Sequence, residues 1–198
     1  MKTRTRESNP GVLRLDALNA LDDDAAAREL RRCCGSARWV SGMVALRPFA
    51  TVDAVADAAD RIWWELDEAD WREAFASHPK IGEQDAGQAG QAGNARQVGQ
   101  GGQADESTDA WSAQEQAGVA GVGADVTRRL AIANRDYEAR FGYIFIICAT
   151  GKSAAEMLAA LERRLNNPPE QELRIAAEEQ RRITLLRLAK LLDAAIDG

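Results

Sequence analysis

Histidine is the scarcest side chain here: one in 198 residues. Any imidazole chemistry must therefore pass through His78, the one group whose ordinary pKa, about 6.5, lies near neutrality. Cysteine is nearly as scarce. Cys33 and Cys34 are adjacent and Cys148 lies in an apolar run. Three thiols cannot all pair within one chain, and they are read as reduced cysteines of a cytoplasmic protein. No Cys/His spacing suggests zinc, and no glycine-rich loop of the phosphate- or dinucleotide-binding type is present. No apolar run approaches the roughly 20 residues that span a membrane. The basic residues of Met1 to Arg6 have no apolar stretch behind them, which excludes a secretory signal there. Positive charge is in deficit, with a net charge of −6, which argues against a nucleic-acid surface.

What remains is a globular composition, 45% hydrophobic and 28% charged, long enough for one domain with a real core. Residues 1–10 read as a frayed terminus. Helical spacing begins with Val12, Leu15, Leu18 and Leu21. Asp22 to Asp24 suit the positive end of a helix over Ala25–Cys34, which Gly35 closes. Ser36 caps a short helix carrying Trp39, Val40, Met43, Val44 and Leu46, and Arg47-Pro48-Phe49 ends it. Thr51 opens the next, through Val55, Ala59, Ile62 and Leu66. Its adjacent Trp63 and Trp64 cannot both be core, and Trp63 is the better choice.

Trp71 to Phe75 leads to Ser77-His78-Pro79-Lys80-Ile81-Gly82-Glu83. Proline disfavours helical backbone in the residue before it, so His78 should sit at a helix end. Taken alone, a helix-capping histidine explains it. Residues 84–108 are a Gln/Gly-rich stretch without apolar periodicity, read as a flexible surface insertion. Disordered filler is the preferred reading and a lid over a site the alternative. In Ser112-Ala113-Gln114-Glu115-Gln116, Ser-x-x-Glu is a helix-start capping box, which by itself explains Ser112 and Glu115. Gly118, Gly121 and Gly123 weaken the helix that this box opens, or admit a close approach. Val126, Leu130, Ala133, Tyr137 and Phe141 define an amphipathic helix with Gly142 at its C-cap.

Phe145-Ile146-Ile147-Cys148-Ala149 lies in a continuous apolar run that is either a buried strand or a buried extended segment. In a helical chain its amides need other partners, and a polar small molecule could be one of them. Ser153 to Glu156 is a second capping box. Asn167-Pro168 starts a last helix over Glu170–Ala195. Arg187 stands there among Arg181, Arg182 and Lys190, with nothing local to single it out. On the residues alone, a non-enzymatic helical interaction module would serve.

Taken in order, these pieces resemble the OHCU decarboxylases, the cofactor-free enzymes of urate breakdown. The resemblance rests on Arg47-Pro48-Phe49, His78 to Glu83, Ser112 to Gln116, Asn134 to Gly142, Phe145 to Ala149, Arg163-Arg164-Leu165-Asn166 and Ile183 to Leu188. It covers nearly the whole chain outside residues 84–108, where Gln/Gly repeats replace a shorter connection. It reverses the module reading, because such a module has no reason to carry these pieces in this order.

The resemblance implies an all-α, multi-helix bundle in a single domain, usually a homodimer. It implies decarboxylation of 2-oxo-4-hydroxy-4-carboxy-5-ureidoimidazoline to (S)-allantoin without a cofactor. His78 and Glu115 match the catalytic pair. Pro79, Ser112, Ala113, Gln114, Glu115, Gln116, Phe145, Ile146, Ile147, Cys148, Ala149 and Arg187 match substrate-binding positions. A related enzyme acting on another ureido or hydantoin substrate is a third possibility.

Overall fold

The computed structural model describes residues 13–81, 111 and 124–193. Among these the protein is all-α, with eight helices and no strand. They are α1 (Leu15–Ala20), α2 (Asp23–Arg31), α3 (Ala37–Ala45), α4 (Val52–Glu65), α5 (Glu68–Ala76), α6 (Ala124–Phe141), α7 (Ala154–Arg164) and α8 (Pro169–Leu192). The 84–108 insertion, the Ser112–Glu115 capping box and the frayed terminus all lie outside the described residues.

Local chemistry sets most boundaries. Asp22, Ser36, Thr51 and Asp67 accept backbone N–H bonds as the N-caps of α2 to α5. Ser153 and Glu156 form the reciprocal box at the start of α7. Gly142 ends α6 with φ +75°, in the left-handed region that favours glycine. Two expected ends move. The second helix stops at Arg31 rather than Cys34, because Cys33 and Cys34 both donate to the Leu30 carbonyl in a closing turn. The last helix ends at Leu192, with Asp193 left-handed after it.

α8 is the axis of the molecule. It packs on α4 and α5, α3 joins α2, α4 and α5, and α6 lies on α7. Buried residues fill a broad arc of α8 that includes Glu172, Gln180, Thr184 and Arg187, so an amphipathic pattern is weak in its sequence. Tryptophan indoles tie neighbouring backbones: Trp39 Nε1 donates to Ala59 O at 3.1 Å and Trp63 Nε1 to Ala177 O at 3.0 Å. Trp63 is core at 2% exposure and Trp64 faces out at 38%. Arg47 caps the end of α1, donating to the Leu18 and Leu21 carbonyls at 2.9 and 2.7 Å while pairing with Asp23. The Arg-Pro-Phe motif is thus structural here, completed by mutual hydrogen bonds between Asn19 and Phe49.

Candidate active site

His78 is placed by the end of α5. The helix stops at Ala76, Ser77 still has helical angles, and the His78 N–H donates back to Phe75 O at 3.1 Å. Pro79 then forces the chain out of the helix, as its position predicts. Gly35 makes this exit possible. A Cβ on Gly35 would stand 2.4 Å from Ser77 Cβ, so only glycine lets the α2–α3 turn lie against the residue before His78. Beyond Pro79 the chain is tied to α6, with Lys80 paired to Glu138 at 2.8 Å and Asn134 donating to Ile81 O at 3.0 Å.

Arg187 comes from the middle of α8. It is 2% exposed, whereas Arg182, five residues earlier, is solvated. Its Nη1 donates to the Arg32 carbonyl at 3.4 Å. Cys33 and Cys34 lie nearby. Burial pushes both thiols up to about 12, against the opposing pull of the Arg187 charge. They are therefore neutral at physiological pH and offer Arg187 no competing anion. Arg32 is itself buried. It pairs with Glu29, and its guanidinium lies 4.4 Å over the Trp111 ring.

The third wall is the 144–149 stretch, which runs without turn or bend and belongs to no sheet. The two readings left open by the sequence resolve as an extended segment held by side chains. Arg164 Nη1 donates to Ile146 O at 2.9 Å, Cys148 N–H donates to Glu179 Oε2 at 2.7 Å, and Lys152 Nζ donates to Cys148 O at 2.9 Å. In extended backbone, successive residues turn their polar groups to opposite edges. Residues 146 and 148 thus share one edge, and charged side chains occupy it. Among the described residues no protein group pairs with the N–H or C=O of Ile147, or with the N–H of Ala149, on the opposite edge. Both residues are buried, and buried amides are rarely left without a partner.

These walls line one cavity. His78, Pro79 and Ile81 line it from the α5 exit, residues 145–150 from the extended segment, and Ile183, Leu186 and Arg187 from α8. Its lining sets the imidazole of His78, the guanidinium of Arg187 and segment backbone beside apolar side chains, a mixture that suits a small polar molecule. His78, Pro79, the Phe145–Ala149 segment and Arg187 therefore meet around one space. Ser112, Ala113, Gln114, Glu115 and Gln116 lie outside the described residues. Sequence reasoning passed over Arg32, Arg164 and Glu179. Arg164 stood in one of the family-like motifs without a role, and Glu179 carried no signal at all. Among the described residues no cluster of three His, Cys, Asp or Glu side chains is placed to hold a metal ion.

Comparison with known proteins gives a consistent set of matches. The family model for OHCU decarboxylase matches residues 19–189. The uric acid degradation bifunctional protein TTL of Arabidopsis thaliana is 39% identical over 164 residues, covering 82% of this chain and 46% of the plant protein. The 2-oxo-4-hydroxy-4-carboxy-5-ureidoimidazoline decarboxylase of Haloferax volcanii is 26% identical over 183 residues, covering 90% of this chain and 95% of its own length. Among solved structures, an OHCU decarboxylase crystallised in the presence of (S)-allantoin superposes with a TM-score of 0.65 and 36% identity, covering 84% of this chain and 98% of that one. The matched region spans about half the length of several curated relatives.

Proposed function

The chain belongs to the OHCU decarboxylase family, and from that premise we propose that it converts 2-oxo-4-hydroxy-4-carboxy-5-ureidoimidazoline to (S)-allantoin and carbon dioxide. It does so in urate degradation, in the cytoplasm, as a homodimer. The observation that carries the reading is the meeting of three features around one cavity: the lone histidine, a buried arginine, and an amide edge that no described protein group pairs.

The chemistry divides naturally among these groups. The C–CO₂ bond breaks and its electron pair forms a double bond to the neighbouring ring carbon. The π electrons of that carbon's C=N bond move onto nitrogen, so the substrate carries its own electron sink. Carbon dioxide leaves an enol-like intermediate. The hydroxyl then loses its proton to become a carbonyl, one proton is added to a single face of the ring carbon, which sets the S configuration, and a second proton goes to the ring nitrogen that received the electrons, giving the N–H of allantoin. The protein supplies orientation and proton control. Arg187 grips a carboxylate or ring oxygen in a charge-assisted contact. His78, held by Glu115, manages the hydroxyl proton, and one of that pair, or a water between them, protonates the carbon. The N–H groups of Ile147 and Ala149 bind ureido or ring carbonyls, and the Ile147 C=O accepts from a ureido or ring N–H.

Circular dichroism of allantoin formed from freshly generated substrate tests this. The expected result is a fast signal of one sign, well above the spontaneous reaction. Spontaneous kinetics from well-folded protein would overturn the proposal and turn attention to other ureido or hydantoin substrates.

A further inference from the structure

We propose that Glu179 is a positioning residue of the substrate-binding wall, acting through the Cys148 amide it holds. This rests on the decarboxylase reading for its kinetic consequence but on geometry for the contact itself.

The 144–149 segment has no sheet to fix its rotation about its own axis. Among the described residues its one backbone–backbone hydrogen bond is at the far end, from Lys152 N–H to Ala149 O. Twist must come from side chains. Lys152 holds the Cys148 carbonyl on this edge from within the same loop, and two side chains of neighbouring helices grip it two residues apart, roughly 6.6 Å along an extended chain. Arg164 takes the Ile146 carbonyl and Glu179 the Cys148 N–H. Holding both points turns the Ile147 and Ala149 amides to the other edge, where no described protein group meets them. Lys152, four residues along, moves with the loop, so release of either helix-borne point lets the segment roll.

Glu179 is built for this task. It lies four residues before Ile183 and eight before Arg187, on one face of α8. The helix that carries the buried guanidinium into the cavity therefore also sets the amides opposite, so the two recognition elements keep a fixed spacing. Arg182 pairs with the other carboxylate oxygen, Oε1, at 3.0 Å, which leaves Oε2 aimed at Cys148 N–H at 2.7 Å. Glu179 does not line the cavity. It acts through backbone, and the Cys148 N–H serves the fold rather than the ligand. That divides the segment by residue: Ile147 and Ala149 recognise, Ile146 and Cys148 anchor.

The experiment compares full-length wild type with Glu179→Ala and Glu179→Gln. A donor displaced by about 1 Å can cost on the order of 100-fold. Glu179→Ala should raise KM about tenfold or more and reduce the excess of (S)-allantoin, while Glu179→Gln, which keeps an acceptor, stays close to wild type. Amide hydrogen exchange at Ile147, Cys148 and Ala149 should accelerate about tenfold in Glu179→Ala alone, with exchange across α8 and the melting temperature unchanged. A Glu179→Ala variant with wild-type KM and wild-type exchange in the segment would overturn the proposal. So would exchange that rises throughout the protein, which would mark a general structural role. A wild type without turnover would remove the decarboxylase reading, and the exchange data would still decide the anchor.

Discussion

Glu172 offers the sharpest test of how the site is held. It is a carboxylate with 0% exposure in the middle of the molecule. Arg164 meets its Oε1 through Nε at 2.8 Å and Nη2 at 2.6 Å, Asn167 Nδ2 meets Oε2 at 2.7 Å, and the Tyr137 hydroxyl donates to it as well. Glu172→Ala leaves the Arg164 guanidinium, 6% exposed, without its counter-ion. Breaking a buried pair by removing one partner costs about 3–5 kcal/mol. For a chain of this size that is a drop of about 6–20 °C in melting temperature. Urea unfolding followed by circular dichroism measures it. The double change Arg164→Met with Glu172→Leu removes both charges and should recover most of that loss, because such a pair often exchanges for apolar residues at little cost. It should not recover turnover, since the Ile146 carbonyl loses its donor. A Glu172→Ala variant within about 1 kcal/mol of wild type would refute the claim that this pair is desolvated and intact. A fully active double variant would refute the claim that Arg164 anchors the site.

Other contacts carry their own expectations. His78→Asn should lower kcat by about 10²–10⁴ with an unchanged melting curve, and near-normal turnover would exclude His78 from proton transfer. Gly35→Ala should cost about 1–3 kcal/mol from overpacking against Ser77 and also lower kcat, because the residue displaced adjoins His78; thermal unfolding and turnover together check it. Cys33 and Cys34, buried and raised to about 12, should resist a thiol reagent at mildly alkaline pH until denaturant is added. With a folded pKa above the unfolded value near 9, each stabilises the thiol form. Their contribution is complete below pH 9 and is lost as pH rises toward 12, so the fall in stability from neutral to alkaline pH, measured by urea unfolding, should be smaller in Cys33→Ala/Cys34→Ala than in wild type.

Most helices were legible because their ends carry local chemistry. Asp22, Ser36, Thr51 and Ser153 each announce a start through a side chain that reaches its own backbone, and that interaction needs no tertiary context. Ends were read less well. Cys33 and Cys34 look like more helix, but a tightened turn to Leu30 stops α2 three residues sooner. The role of α8 was hidden for a different reason. The buried arc of this helix holds Glu172, Gln180, Thr184 and Arg187 while Leu186 is exposed, so polar and apolar residues do not sort by face and periodicity does not show that Arg187 is inside and Arg182 outside.

The site divides along the same line. His78 could be found because it is the one histidine and because Pro79 acts on its immediate neighbour. Arg187 needed the family pattern, since neighbouring charges within a helix look alike until the fold buries one of them. Glu179 was beyond both routes. Its function is a contact 31 residues away in sequence with a backbone N–H, and a backbone amide has no side-chain identity for any pattern to record. The extended segment makes such contacts necessary. Six residues outside any helix or sheet still carry amides that must be satisfied, so charged arms from α7 and α8 do what a neighbouring strand would do. A strand would have paired both kinds of residue in alternation with its two neighbours. Side chains hold one edge only, and the edge they leave is the one that faces chemistry.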